Sequence, residues 1–299
     1  MKIFKNILLF LILYLGVMNI QAIEPTEIRR RLAMYQVGEG TPVFLMPIPH
    51  ASAKVSMAES ELAEIMIGLG YSIITFDPPS SFNSTRMATC DMQEMIRCTN
   101  ETLDFFKIRD SITFVGHSMA GMCCIAFTLD YPAKVKSLIL VGTPSGWKAV
   151  KKWGVHKSWS WTEKEYWQFR RWGARIMLGT NNLKSHKKLN NLVTSVSFHQ
   201  RKYIKRTAVL KSDRKKPAPK RDKWFKKVKK YNYFDELEHI KVPALICAGK
   251  YDKQTPLKMM YELNYGIIGS DLKIFSKSGH FPFIEERDKF SEIISEFLK

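Results

Sequence analysis

The sequence predicts an α/β fold: a doubly wound, mostly parallel sheet with a helical cap inserted between two of its strands. Short, apolar, β-rich runs alternate with amphipathic stretches of helical period at both ends of the chain, and this rhythm stops between Gly146 and Asn232. The excess positive charge lies entirely inside that interruption. Alternation of strand and helix is the order that makes right-handed crossovers and covers a parallel sheet on both faces.

Taken in order, the chain begins with "MKIFKNILLFLILYLGVMNIQA", in which Lys2 and Lys5 precede an apolar run from Ile7 to Ile20 and Ala22 stands as a small cleavage residue. Residues 1–22 read as a signal peptide. An uncleaved N-terminal anchor is the alternative, because Ile3 to Ala22 can just cross the ~30 Å of a bilayer core. Either reading puts the protein outside the cytoplasm, secreted or held at a membrane. The first part of the core, residues 23–145, carries the strand candidates "TPVFLM", "YSIITF", "ITFVG" and "KSLILVG"; the second, residues 233–299, carries "VPALICAG" and "LKIF". Each is short and bounded by turn residues. Between and after them, Leu62, Ile65, Met66 and Leu69 recur at helical spacing, as do Met122, Cys123, Ala126 and Phe127, and then Phe290, Ile293, Ile294, Phe297 and Leu298.

Residues 146–232 hold 26 Lys and Arg against four acids, a charge of +22; the whole chain carries +19, so the remainder is at −3. All seven tryptophans lie there too. The segment has no strand-like run, and its "KSDRKKPAPKRDK" stretch is too polar and proline-rich to pack. It therefore reads as a helical cap. Phe169, Trp172 and Ile176 fall at helical spacing and suit the interior of that cap better than a ligand platform. Most of the charge reads as a solvated face, but cations combined with indoles also suit an anionic membrane or cell-envelope surface. Nucleic acid is disfavoured, since no recognition fold is apparent and the N-terminal segment points to export. The five cysteines are odd in number and no CxxC or Cys/His spacing occurs, so neither a disulfide framework nor a metal site is expected. No cofactor is implied.

The chemistry is concentrated in three stretches. "ITFVGHSMAG" puts Ser118 directly after a buried strand and directly before a helix, the context of a sharp turn that lifts a nucleophile above the sheet. A serine hydroxyl needs an imidazole to take its proton and a carboxylate to orient that imidazole. Asp252 lies in "ICAGKYDKQTP", after the strand that resumes the core, and His280 lies in "FSKSGHFPFIEERDKF", after the last strand. All three follow carboxyl ends of parallel strands, where open α/β sheets gather their sites. Other readings exist for each residue: Ser118 as a helix cap, and Asp252 as a turn residue or cap near Thr255 and Pro256. His117 reads as structural or pocket-lining, and His50 as lining the entrance.

In these residues the chain resembles the α/β-hydrolase family. The order Ser, Asp, His, the motif "GHSMAG" and the two later segments match its pattern from about Met34 to Lys299. The resemblance implies a nucleophile at Ser118, an acid at Asp252 and a base at His280, with the Met119 N–H as one oxyanion donor. Two departures stand out. "FLMPIPHAS" replaces the family's usual His-Gly stretch; proline has no N–H, so the second donor falls to Ile48 or, next, His50. "DPPSSFNST" holds the place of a glycine-rich turn, which argues for a differently shaped entrance. Ala120 also stands where glycine is usual. The expected activity is acyl transfer through an acyl-enzyme on Ser118, on small carboxylic esters. Amides, peptides and thioesters are the nearer alternatives. The more distant one is a non-catalytic binding protein whose basic cap holds an anionic surface or ligand.

Overall fold

The computed structural model describes residues 31–49, 56–79, 81–86, 88, 90–154, 162–177, 183–206 and 230–299. The N-terminal segment 1–22, His50 and the polar stretch 211–223 lie outside the described residues. Seven strands form one sheet: β1 (Met34–Val37), β2 (Thr41–Leu45), β3 (Tyr71–Phe76), β4 (Ile112–His117), β5 (Val135–Val141), β6 (Ala244–Gly249) and β7 (Asp271–Phe275). Their spatial order is β1-β3-β2-β4-β5-β6-β7, all parallel except β1, which runs antiparallel to β3.

β4 and β6 are buried at every position, and β5 at every position but one. Strands covered on both faces need such continuous apolar runs. The period-2 alternation of side chains then sorts each run between two cores. Phe44, Phe114, Leu138, Leu140 and Ile246 face one side. Their sequence neighbours Leu45, Val115, Ile139, Val141 and Leu245 face the other. Three helices cover the first side: α2 (Met92–Phe105), α3 (Met119–Asp130) and α7 (Leu257–Gly266). On the second lie α1 (Glu61–Gly68) and α9 (Arg287–Phe297), with the short α8 (Pro282–Glu285) before it. The hydroxyl of Ser60 caps α1 by accepting the Ala63 N–H at 3.2 Å, and the Asp91 carboxylate caps α2 by accepting the Glu94 N–H at 3.1 Å.

All six expected strands are present. β1 was not among them: "MYQV" is four residues long, incompletely buried and confined to the sheet edge, so it carries almost no periodic signal. Between β5 and β6 the described residues form helices and no strand: α4 (Trp147–Trp153), α5 (Glu163–Met177), α6 (Leu183–Ser197) and a 3₁₀ turn over Arg201–Arg206. The two ends of this insertion meet. Gly146 and Asn232 form an antiparallel bridge, the Trp147 N–H donates to Tyr231 O at 2.9 Å, and the Tyr233 N–H donates to Ser145 O at 3.0 Å. Among the described residues no helix is long and apolar enough to cross a membrane.

Strand order fixes where a site can form. From β2 the chain moves outward on one side to β3, then returns to β4 on the other side of β2. The loops after β2 and β4 therefore diverge at the carboxyl edge, the switch point at which open α/β sheets place their sites. Pro47–Pro49 follow β2, and Ser118 follows β4.

Candidate active site

A single residue, Ser118, separates β4 from α3, and its backbone is at φ 57°, ψ −121°. Such a conformation costs a non-glycine residue about 1–3 kcal/mol and persists only where the surroundings enforce it. The enforcement is visible on both sides of the turn. The Ser118 N–H donates to Val141 O at 2.8 Å, and its carbonyl accepts the Gly121 N–H at 3.1 Å. A Cβ at Gly116 would sit 2.6 Å from the Gly121 Cα, and one at Gly121 would collide with the Thr143 side chain. Those two glycines let strand and helix backbones approach. Ala120 is fully buried and accommodated, so the missing glycine at that position does not disturb the turn. Ser118 and Met119 are half-buried.

Asp252 and His280 are both buried and directly bonded: His280 Nδ1 lies 2.7 Å from Asp252 Oδ2. With the ring's Nδ1–H donated to the carboxylate, Nε2 is the acceptor, the tautomer a general base requires. The second carboxylate oxygen, Oδ1, accepts the N–H groups of Gln254 at 2.8 Å and Thr255 at 2.9 Å. Asp252 thus orders its own turn, as the turn reading of this residue expected, and also holds the imidazole by hydrogen bond. The Thr255 hydroxyl donates to Asp252 Oδ2 at 2.6 Å and lies 3.2 Å from His280 Nδ1.

The end of β5 joins the three candidates. Val141 holds the Ser118 N–H, and the next residue, Gly142, lies against Asp252 and His280 at φ 51°. A Cβ there would lie 3.1 Å from His280 Nδ1 and 3.2 Å from Asp252 Oδ2. His117 supplies the other contact. Its ring is 4.5 Å from the His280 ring centroid to centroid, and its Nε2 lies 2.9 Å from His280 O, which it reaches as a donor. Burial, and then the neighbouring His280, hold the His117 imidazole well below its ordinary pKa. Burial and these contacts fit the structural side of the two readings its sequence position offered.

Ile48 is half-buried and packs against the same apolar cluster as Met119. In the stretch that replaces the glycine-rich turn, Phe82 adopts φ 44°. Asp77, the first residue of that stretch, accepts the Tyr35 hydroxyl at 2.7 Å and the Asn83 N–H at 3.0 Å. The five cysteines are all free, and Cys123 and Cys124 are buried in α3. Trp172 of α5 is half-buried, with the charged groups of Arg171, Arg175 and Lys188 within 5.3, 5.6 and 4.9 Å of its ring.

Sequence reasoning singled out neither Gly142, Gln254, Ser197 nor Glu285. Glu285 sits inside the quoted "SGHFPFIEERDKF" and is buried, accepting the Gln200 and Gly279 N–H groups at 2.6 Å each. A charged residue in an amphipathic stretch reads as solvated, and only the fold reveals what covers it.

A sequence profile described as the alpha/beta hydrolase fold matches residues 57–287. The chain is 24% identical over 245 residues to 2-hydroxy-6-oxononadienedioate/2-hydroxy-6-oxononatrienedioate hydrolase 1 of Dechloromonas aromatica, covering 79% of this chain and 78% of that one. Among solved structures, an alpha/beta fold family hydrolase from Bacillus anthracis superposes with a TM-score of 0.72 at 22% identity, covering 94% of this chain and 99% of the other. An esterase from Exiguobacterium antarcticum superposes with a TM-score of 0.67 at 22% identity, covering 95% and 100%.

Proposed function

The chain belongs to the alpha/beta hydrolase fold family, and on that premise we propose that it is a serine hydrolase acting by acyl transfer on small carboxylic esters. The observation that carries the reading is the 2.7 Å bond from His280 Nδ1 to a buried Asp252, beside a strained Ser118 turn. In the proposed reaction His280 Nε2 takes the Ser118 proton as Oγ attacks the ester carbonyl. The oxyanion rests on the Met119 N–H, at the positive N-terminal end of α3, and on the Ile48 N–H. The imidazolium, stabilised by Asp252, then gives its proton to the leaving alcohol. Water, activated by the same base, attacks the acyl-enzyme and releases the acid, restoring Ser118.

The test is labelling by a fluorophosphonate, which phosphonylates activated serines. The wild-type chain is expected to label at one serine, and Ser118→Ala not at all; a folded wild-type protein that takes no label favours the binding-protein reading. p-Nitrophenyl esters of increasing chain length then define the acyl preference. The curated relative is named for a hydroxy-oxo dienedioate, so 2-hydroxy-6-oxononadienedioate belongs in the same panel. Turnover of that acid without turnover of esters would replace the ester reading while leaving the nucleophile in place.

The insertion supports a second, weaker role as a contact for an anionic membrane or cell-envelope surface. On α5, Trp167 is 60% exposed, and Lys164, Arg170, Arg171 and Arg175 are exposed around it. Basic side chains gain from a negative surface potential while an indole sits at the headgroup level.

A further inference from the structure

We infer that the segment by which α6 rejoins the core, Ser197–Gln200, positions the acid and the base, with Ser197 and Gln254 as the positioning residues. The inference rests on the reading of Asp252 and His280 as acid and base.

The last carbonyls of a helix have no partner within it. At the end of α6, the Ser197 carbonyl accepts the backbone N–H of His280 at 2.7 Å. The Ser197 hydroxyl donates to Val193 O at 2.6 Å and accepts from Gln254 Nε2, also at 2.6 Å. Gln254 in turn gives its backbone N–H to Asp252 Oδ1 at 2.8 Å, and Asp252 Oδ2 bonds His280 Nδ1 at 2.7 Å. The bonds close a ring through Ser197, Gln254, Asp252, His280 and back to Ser197. Ser197 is fully buried, so water does not compete for these bonds.

Ring stacking and hydrogen bonds hold the same segment on both loops. Phe198 stacks on Phe281, next to the base, with centroids 4.8 Å apart at 17°; His199 stacks on Tyr251, next to the acid, at 3.8 Å and 9°. Glu285 accepts N–H groups from Gln200 on one side and Gly279 on the other. Gly279 has to be glycine, since a Cβ would collide with the Ser197 carbonyl. The insertion therefore grips the residues flanking both Asp252 and His280. A shift of α6 moves the imidazole, and a misplacement of about 1 Å at a reacting group can cost on the order of 10²-fold in rate.

The test uses the full chain as Ser197→Ala, Gln254→Ala, the double variant, and Ser197→Thr, which restores a hydroxyl. Steady-state kinetics on p-nitrophenyl butyrate are paired with the phosphonylation rate per labelled site. Each alanine variant is expected to lower kcat by about 10-fold, a fraction of the misplacement cost, with KM nearly unchanged. The double variant should be no worse than the poorer single, because both break one ring, and Ser197→Thr should recover most of the loss. Full rates in the singles, or losses that multiply in the double, overturn the inference. So does a smaller labelled fraction that reacts at the wild-type rate per site, since that is a folding defect only. Wild-type protein that takes no phosphonate overturns the triad itself, and the inference with it.

Discussion

His117 and Ser118 are neighbours with opposite requirements. Ser118 must be strained and reachable, and it is half-buried at φ 57°. His117 must be neutral and fixed, and it is buried against His280, Phe281 and Phe283. Its pKa is held below the ordinary 6.5, first by burial and then by His280. The sign follows from proton binding: between the folded and unfolded values the unfolded chain holds more protons, so stability present above about pH 6.5 is lost as pH falls. Melting temperatures taken from about pH 7.5 down to about pH 5 are expected to drop less steeply in His117→Gln, whose amide can still donate to His280 O. Equal slopes in the two proteins would show that His117 does not resist protonation. At this scale the placement of Ser118, Asp252 and His280 was legible because each follows a strand. Gln254, Ser197 and Glu285 were not: Gln254 bonds Ser197 57 residues away, the Ser197 carbonyl bonds His280 rather than a sequence neighbour, and Glu285 bonds Gln200 85 residues away, in ways no local pattern encodes.

Among the elements, α5 and α6 do different work. α6 ends on the loops that carry Asp252 and His280, whereas α5 carries the exposed Trp167 and its ring of cations. The two roles separate experimentally. Binding to vesicles rich in phosphatidylserine is expected to weaken about 10-fold in Trp167→Ala combined with Arg170→Gln and Arg171→Gln, and to weaken further with salt, as about 1 kcal/mol per basic residue at an anionic surface implies. Ester turnover should stay near wild type. Unchanged vesicle binding removes the membrane role and leaves the charge as a solvated face. Strand positions were legible almost to the residue: "TPVFLM" and "LKIF" correspond to Thr41–Leu45 and Asp271–Phe275. β1 was not, because a four-residue edge strand shows neither a buried run nor an alternation long enough to detect.

For the whole molecule, one topological fact does most of the positioning. Parallel strands with their carboxyl ends on one edge place residues 118, 252 and 280 on that edge, and the chain reverses direction across the sheet between β2 and β4. The chain order of the three residues and their strand contexts made this readable without coordinates. How the insertion meets the core was not readable, since a long basic stretch reveals its composition and not its docking. The electrostatic division is equally global: a segment at +22 stands on a remainder at −3. The account as a whole depends on a covalent intermediate at one hydroxyl. Rapid quench of the wild-type chain with p-nitrophenyl butyrate, followed by peptide mass analysis, is expected to find a butyryl group on Ser118 and on no other residue. A burst of product with the acyl group elsewhere, or ester turnover that persists undiminished in Ser118→Ala, would contradict it.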